Sequence, residues 1–285
     1  MGGSPGSRAL VLGGGGIAGI AWELGLLSGL AAAGVDVRDA DTVVGTSAGS
    51  IVGTLVRTGA DLEEAYAAQL GPVPPTERAV DFDGAGFFAA MAEALAGVSS
   101  PQEARARIGA LALRARTMPE SERLAVIGGR IGTPGWPAAR LVVTAIDTAD
   151  GEFLAVDSGS GFDLLQAVAA SCAVPGVYPP ITIGDRRFMD GGLRSPTNAD
   201  LAAGHDRVLV VAPMGGFPGS PLGPSLDEEM ATLRRDGQAH LVLADEAALA
   251  AFGSNPLDPA TREPAARAGR AQAERVAAEV AAVWG

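Results

Sequence analysis

Short runs of aliphatic and β-branched residues recur along the chain, separated by longer stretches whose apolar residues fall at helical spacing. The runs cover 9–12, 42–44, 140–146, 153–156, 207–211 and 240–243. Strands separated by helices predict an α/β fold, a mostly parallel sheet with helices on both faces. Between Ile181 and Met189 the sequence reads as a hairpin turning at Gly184-Asp185. From 59 to 137 nothing reads as a strand, and a helical pattern is interrupted by Pro72, Pro74, Pro75, Pro101, Pro119 and Pro134. This stretch, about 60–137, is predicted to be a helical cap inserted into the domain. Within it Phe87, Phe88, Met91, Leu95 and Val98 recur at helical spacing and give one apolar face. Core packing is the ordinary fate of such a stripe, and a substrate-facing lid is the alternative. Residues 215–225 form a Gly/Pro-rich loop, and 265–284 an Ala-rich closing helix within a C-terminal extension of about 214–285. The prediction is one domain over 8–285 behind a disordered lead-in at 1–7.

The segment 9–35 carries a single charge, Glu23, and on hydropathy alone passes for a membrane span or signal peptide. Gly13, Gly14, Gly15 and Gly16 interrupt it, and each would cost a helix about 1 kcal/mol relative to alanine. A strand at 9–12, a glycine loop and a buried helix over 17–33 ended by Gly34 fit better.

Composition narrows the partners. The 285 residues hold 33 acidic and 21 basic side chains, for a net charge of −12. All the basic residues are arginine. With no cationic run, the chain is unsuited to nucleic acid or to electrostatic docking on anionic lipid, leaving at most transient contact with a membrane surface. The lone Cys172 has no partner for a disulfide, and no Cys/His cluster offers a metal site. A reducing, cytoplasmic compartment is the expectation.

Three motifs carry chemistry. Gly45-Thr46-Ser47-Ala48-Gly49 fits Gly-x-Ser-x-Gly between an apolar strand and a helical run at 51–58. In that context it reads as a nucleophile elbow, and otherwise as a plain tight turn. Gly14 to Gly19 also joins a strand to a helix, so its amides can stabilise a phosphate or an oxyanion. The same residues satisfy a dinucleotide-binding fingerprint, yet the second strand ends in Gly45-Thr46-Ser47 rather than the acid that would hold a ribose. A P-loop is excluded because it needs a lysine. Asp190-Gly191-Gly192 closes the strand-like run 186–189. Alone it is a turn or cap. With the other two motifs it places a carboxylate at the carboxyl ends of the strands, where open α/β sheets carry their chemistry. His205 and His240 both begin predicted strands, at the opposite edge, which leaves a Ser/Asp dyad rather than a triad. Aspartate at its ordinary pKa of about 3.9 is a weak base, so the dyad requires burial of Asp190.

Taken together these residues resemble the patatin-like phospholipases, in particular bacterial members, over about 8–213. The likeness extends through Ala170-Ser171-Cys172-Ala173-Val174-Pro175-Gly176, Tyr178-Pro179-Pro180 and Asp190 to Ser195. It implies a three-layer α/β/α acyl hydrolase with a lipid or small ester substrate and no cofactor or metal. It also implies Ser47 as nucleophile, Asp190 as base, and the amides of Gly15 and Gly16, with Gly14, as the oxyanion hole. One departure stands out: the family's usual Arg or Lys after the glycine loop is Ala18 here. Arg57 and Arg194 are the candidates to replace that charge. A catalytically silent lipid-binding protein on the same fold and a dinucleotide-dependent oxidoreductase are the rival readings. Cys172 reads as a small buried hydrophobe, Asp147, Asp150 and Asp157 as turn residues, and Trp22 and Trp136 as packing residues.

Overall fold

In the computed structural model, residues 6–75, 77, 84–132, 135–216 and 219–285 are described, apart from the side chains at 84, 85, 87 and 88. The strands are β1 (Arg8–Leu12), β2 (Thr42–Gly45), β3 (Arg140–Asp147), β4 (Phe153–Val156), β5 (Ile181–Ile183), β6 (Arg186–Asp190), β7 (Arg207–Ala212) and β8 (Gln238–Leu243). They form one sheet in the order β5-β6-β3-β2-β1-β7-β8, with β4 also paired to β3. β1, β2, β3, β7 and β8 are parallel, whereas β4 and β6 run antiparallel to β3. The β5–β6 hairpin turns through Gly184 at φ +64°.

The helices are α1 (Gly16–Ala32), α2 (Ala48–Arg57), α3 (Leu62–Leu70), α4 (Gly84–Ala94), α5 (Pro101–Arg114), α6 (Glu120–Ile131), α7 (Leu164–Ser171), α8 (Leu226–Asp236), α9 (Glu246–Phe252) and α10 (Arg262–Trp284). Successive strand residues point to opposite faces. Leu10, Leu12, Val43, Val143, Leu209 and Val211 meet α1, α2, α7 and α10 on one side. Ala9, Val11, Val44, Val142, Val208 and Val210 meet α8 and the short turn Ala199–Ala202 on the other. Both faces are covered, which is why the strand sequences are apolar throughout. The result is the expected three-layer α/β/α arrangement.

The apolar N-terminal segment is the central helix. In α1, Trp22, Leu24, Leu26, Leu27 and Leu30 are fully buried. Its Gly25 and Gly29 lie against Ala266, Arg270 and Ala273 of α10, while Gly269 of α10 lies against Trp22. Missing side chains on both helices allow their backbones to approach closely. Trp22 Nε1 donates to Gln272 Oε1 at 3.0 Å across the same contact. Among the described residues no helix is long and apolar enough to cross a membrane.

The insert at 60–137 does not gather into one cap. α3 packs on α1 and α10, while α6 packs on α2 and α7. α5 covers the β3–β6 end of the sheet, placing Ala104 and Ile108 against Ile146 and Met189. Met91, Leu95 and Val98 are partly buried and pack against that cluster. The side chains of Phe87 and Phe88, and all of Pro134, lie outside the described residues. Pro101 opens α5 behind Ser100, whose hydroxyl accepts the Glu103 amide, and Pro119 precedes α6. Within the lead-in, residues 1–5 lie outside the described set, but Ser7 is held: its amide and hydroxyl donate to Asp206 Oδ2 at 2.7 and 2.9 Å.

The close α1–α10 contact predicts a contrast between two glycine substitutions. A Cβ at Gly25 would overlap the Ala266 carbonyl oxygen, whereas one at Gly129 in α6 meets nothing within 4 Å. Gly25→Ala is expected to lose about 1–3 kcal/mol of unfolding free energy and Gly129→Ala to gain about 0.5–1 kcal/mol, read from urea denaturation midpoints.

Candidate active site

Three chain segments meet above the parallel strands. The first is the glycine loop between β1 and α1. Gly13 N–H donates to Val211 O at 2.9 Å, and Gly14 N–H to Pro196 O at 2.7 Å. The Gly14 amide is thus committed within the fold and is not free to serve an oxyanion, contrary to expectation. Gly16 takes φ +65°, which favours a residue without Cβ, and among the described residues the amides of Gly15 and Gly16 have no partner.

The second segment is the turn between β2 and α2. Ser47 sits at φ 52°, ψ −114°, a conformation that costs a residue with a Cβ on the order of 1–3 kcal/mol. It is held from several sides. Ser47 N–H donates to Ser171 Oγ at 2.9 Å, and its carbonyl accepts Ser50 Oγ at 2.6 Å and the Cys172 thiol at 3.2 Å. Gly49 N–H donates to Gly13 O at 2.9 Å, and a Cβ on Gly49 would overlap the Leu12 carbonyl. Thr46 Oγ1 accepts Thr144 Oγ1 at 3.0 Å and Asn198 Nδ2 at 3.1 Å.

The third segment ends β6. Ser47 Oγ donates to Asp190 Oδ2 at 2.8 Å, and Gly192 N–H donates to Asp190 Oδ1 at 2.7 Å. Ser47 and Asp190 are buried, at 7 % and 5 % exposure. Asp190 does not reach this place by ending a parallel strand, as expected from sequence, because β6 runs antiparallel. Register explains the meeting. β2 ends at Gly45 opposite Val143, while β3 continues past it and pairs Ala145 with Asp190. Two residues beyond Gly45 lies Ser47, level with that pair. Burial pushes the Asp190 carboxyl up to about 6, opposed by the Gly192 amide, the Ser47 hydroxyl and the charge of Arg123.

Neither arginine suggested as a substitute cation is at the site. Arg57 donates to the carbonyls of Ala40 and Arg140, at the start of β2 and β3. Arg194 is engaged by Asn198 and Asp200. The charge near Ser47 comes instead from α6, as Arg123, with Arg130 beside it. Arg123 is 3 % exposed, stacks 3.5 Å from the Tyr178 ring centroid and donates through Nη2 to Cys172 O at 3.1 Å. No motif marks it, since only the fold brings α6 to the elbow. His205 lies at the other edge, its Nε2 3.0 Å from Thr42 Oγ1, and His240 in β8 lies 3.8 Å from Glu279.

Behind the site, Asn198 Nδ2 also bonds the carbonyls of Gly191 and Ser195, and Thr197 Oγ1 donates to buried Glu229 at 2.5 Å. Burial pushes Cys172 up to about 11, in keeping with an unreactive thiol. Asp147, Asp150 and Asp157 each accept a backbone amide two residues on, as turn residues do. Next to Ser47 is a cavity of about 20 Å³ lined by Gly16, Ala48, Arg123, Cys172 and Tyr178 among others. A neighbouring cavity of about 200 Å³, with Leu24 and Leu55 in its wall, shares Ile17, Ile20, Ile51 and Arg130 with it.

The family model described as patatin-like phospholipase matches residues 10–203. The chain belongs to the patatin-like phospholipase family. Among solved structures, VipD from Legionella pneumophila is similar at 12 % identity and TM-score 0.47, covering 97 % of this chain and 67 % of that one. The type III effector ExoU matches at 17 % identity and TM-score 0.37, over 96 % of this chain and 54 % of its own. Full-length ExoU in complex with SpcU from Pseudomonas aeruginosa matches at 16 % identity and TM-score 0.36, over 95 % and 53 %. This chain therefore spans about half the length of ExoU. No curated protein matches the sequence.

Three buried carboxyls set an unusual pH dependence of stability in this family member. Burial raises Glu23, opposed by the Gly13 amide, as well as Asp190 and Glu229, the last to about 7. Each binds its proton more tightly folded than unfolded, so each costs stability as pH rises from about 4 through its folded pKa. Lowered carboxyls such as Asp36, Glu63 and Asp206 act in the opposite sense, and only as pH falls below their unfolded values. Thermal midpoints are expected to rise between pH 8 and about pH 5.5. Glu23→Gln should raise the pH 8 midpoint and flatten that slope, as read by scanning fluorimetry.

Proposed function

We propose that the protein is a serine acyl hydrolase that cleaves carboxylic esters of lipids or small molecules, with Ser47 as nucleophile and Asp190 as base. The observation that carries this reading is the 2.8 Å hydrogen bond from Ser47 Oγ to a buried Asp190, beside two glycine-loop amides without partners. Ser47 Oγ attacks the ester carbonyl while its proton passes to Asp190. The carbonyl π pair moves onto oxygen, and the amides of Gly15 and Gly16 face that charge. Collapse breaks the ester C–O bond, and Asp190 returns the proton to the leaving alcohol. Water then attacks the acyl-enzyme by the same exchange and releases the acid. A base with a pKa near 6 is ionised at neutral pH yet still accepts a proton, a better match than an ordinary aspartate.

The strained elbow supports the reading as well, since Ser47 lines the small cavity while its backbone stays packed. Family membership favours a lipid substrate, and the 200 Å³ cavity, whose lining combines Ile17, Ile20, Leu24, Ile51 and Leu55 with Gln69, Glu77, Arg130 and Arg262, offers room for part of an acyl chain.

With p-nitrophenyl butyrate as substrate, Ser47→Ala and Asp190→Asn are expected to lose at least about 10³-fold in kcat while remaining folded. A fluorophosphonate should leave one adduct, on Ser47, detectable by mass spectrometry. Wild-type kcat/KM should fall as pH drops below about 6, where Asp190 takes up its proton. His205→Gln and His240→Gln should stay within a few fold of wild type. Undiminished hydrolysis by folded Ser47→Ala would sink the assignment, and absence of any adduct would favour a silent lipid-binding protein.

A further inference from the structure

The small cavity beside Ser47 contains a charge that the fold does not satisfy. Arg123 is almost wholly buried, and a buried guanidinium ordinarily finds partners for its five N–H donors. Among the described residues only Nη2 has one, the Cys172 carbonyl, while Nε is buried without a hydrogen-bond partner there. One face of the guanidinium lies on the Tyr178 ring. Its contact at Cys172 is also close to the dyad: Cys172 Sγ donates to Ser47 O, and Asp190 N–H donates to the carbonyl of the next residue, Ala173.

The size of the space limits what this charge can meet. A cavity of about 20 Å³ holds roughly one water-sized atom, since a water needs about 10–15 Å³ on this measure. That excludes a phosphate or an acyl chain in the resting site and admits a single oxygen. Gly16, the first residue of α1, lines the same space, so the positive end of a 17-residue helix opens there too. Among the described residues the other cation lining it is Arg130, which is paired with Glu77 at 2.8 Å.

We propose that Arg123 is a catalytic residue, the cation that faces the oxyanion formed when Ser47 attacks the ester carbonyl. This rests on the acyl-hydrolase reading above and adds to it. As the Oγ–C bond forms and the Oγ proton moves to Asp190, the carbonyl electron pair becomes a full negative charge on oxygen. That oxygen enters the cavity between the α1 N-terminus and Arg123. On collapse the pair returns to the carbonyl, the ester C–O bond breaks and the Asp190 proton leaves with the alcohol. Arg123 thus stabilises charge that exists only at and around the transition state, which lowers the barrier without tightening substrate binding. The groups around it are Tyr178, Cys172, Arg130 and Asp190, and of these Asp190 is the one whose ionisation the same charge favours.

The test is steady-state hydrolysis of p-nitrophenyl butyrate from pH 5 to 9 by wild type, Arg123→Gln and Arg123→Lys, with thermal midpoints to check folding. Arg123→Gln is expected to lose about 10²- to 10³-fold in plateau kcat, as loss of one oxyanion donor does, with KM within a few fold. Arg123→Lys should recover at least about tenfold of that loss. A plateau kcat for folded Arg123→Gln within threefold of wild type overturns the proposal. So does a deficit that vanishes at pH 9, because Arg123 would then act only by keeping Asp190 ionised. If Arg123→Gln does not fold, the uncharged Arg123→Met takes its place and is read against the same thresholds. Ser47→Ala separates the two levels. Full activity there removes the hydrolase reading itself, while an inactive Ser47→Ala beside a fully active Arg123→Gln removes only the role of Arg123.

Discussion

The backbone of Ser47 is held in a conformation that serine avoids, and much of the surrounding architecture keeps it there. Strain of this kind persists only where neighbours over-determine it. Here the glycine loop accepts the Gly49 amide, α7 supplies Ser171 and Cys172, and Thr144 and Asn198 hold Thr46. Each restraint comes from a different stretch of sequence. The elbow is therefore a product of tertiary packing as much as of its own Gly-x-Ser-x-Gly signature.

The same packing sets the chemistry of Asp190. Its carboxylate is kept ionisable by two hydrogen bonds and a buried guanidinium, and kept basic by exclusion of water. These influences pull in opposite directions, and their balance places the carboxyl at about 6. Glu229 rests on a similar balance behind the site, bonded to Thr197 in the segment whose Pro196 carbonyl receives the Gly14 amide. One buried polar network thus positions the glycine loop and the elbow together.

Where local chemistry decides the structure, the sequence was readable. The strands, the hairpin turning at Gly184, the buried first helix and the closing helix all follow from apolar runs and glycine placement, and Ser47 and Asp190 lie within hydrogen-bonding distance. Other features depend on contacts between distant segments. Nothing around 120–131 distinguishes Arg123 from a surface arginine until α6 docks on α2 and α7. The amide of Gly14 looked as free as those of Gly15 and Gly16, because its acceptor lies far along the chain at Pro196. The antiparallel course of β6 depends on distant contacts in the same way: the register that brings Asp190 to Ser47 appears only in the strand pairing. Prolines and helical periodicity in the insert showed helices without showing that they disperse over several faces.

The packing of α1 on α10 also has a bearing on how the chain is made. The apolar helix α1 leaves the ribosome well before α10, the helix that covers it. At about 5–20 residues per second, α1 waits on the order of ten seconds or longer for its partner. During that interval its glycine-lined face lacks the α10 surface it packs against in the fold.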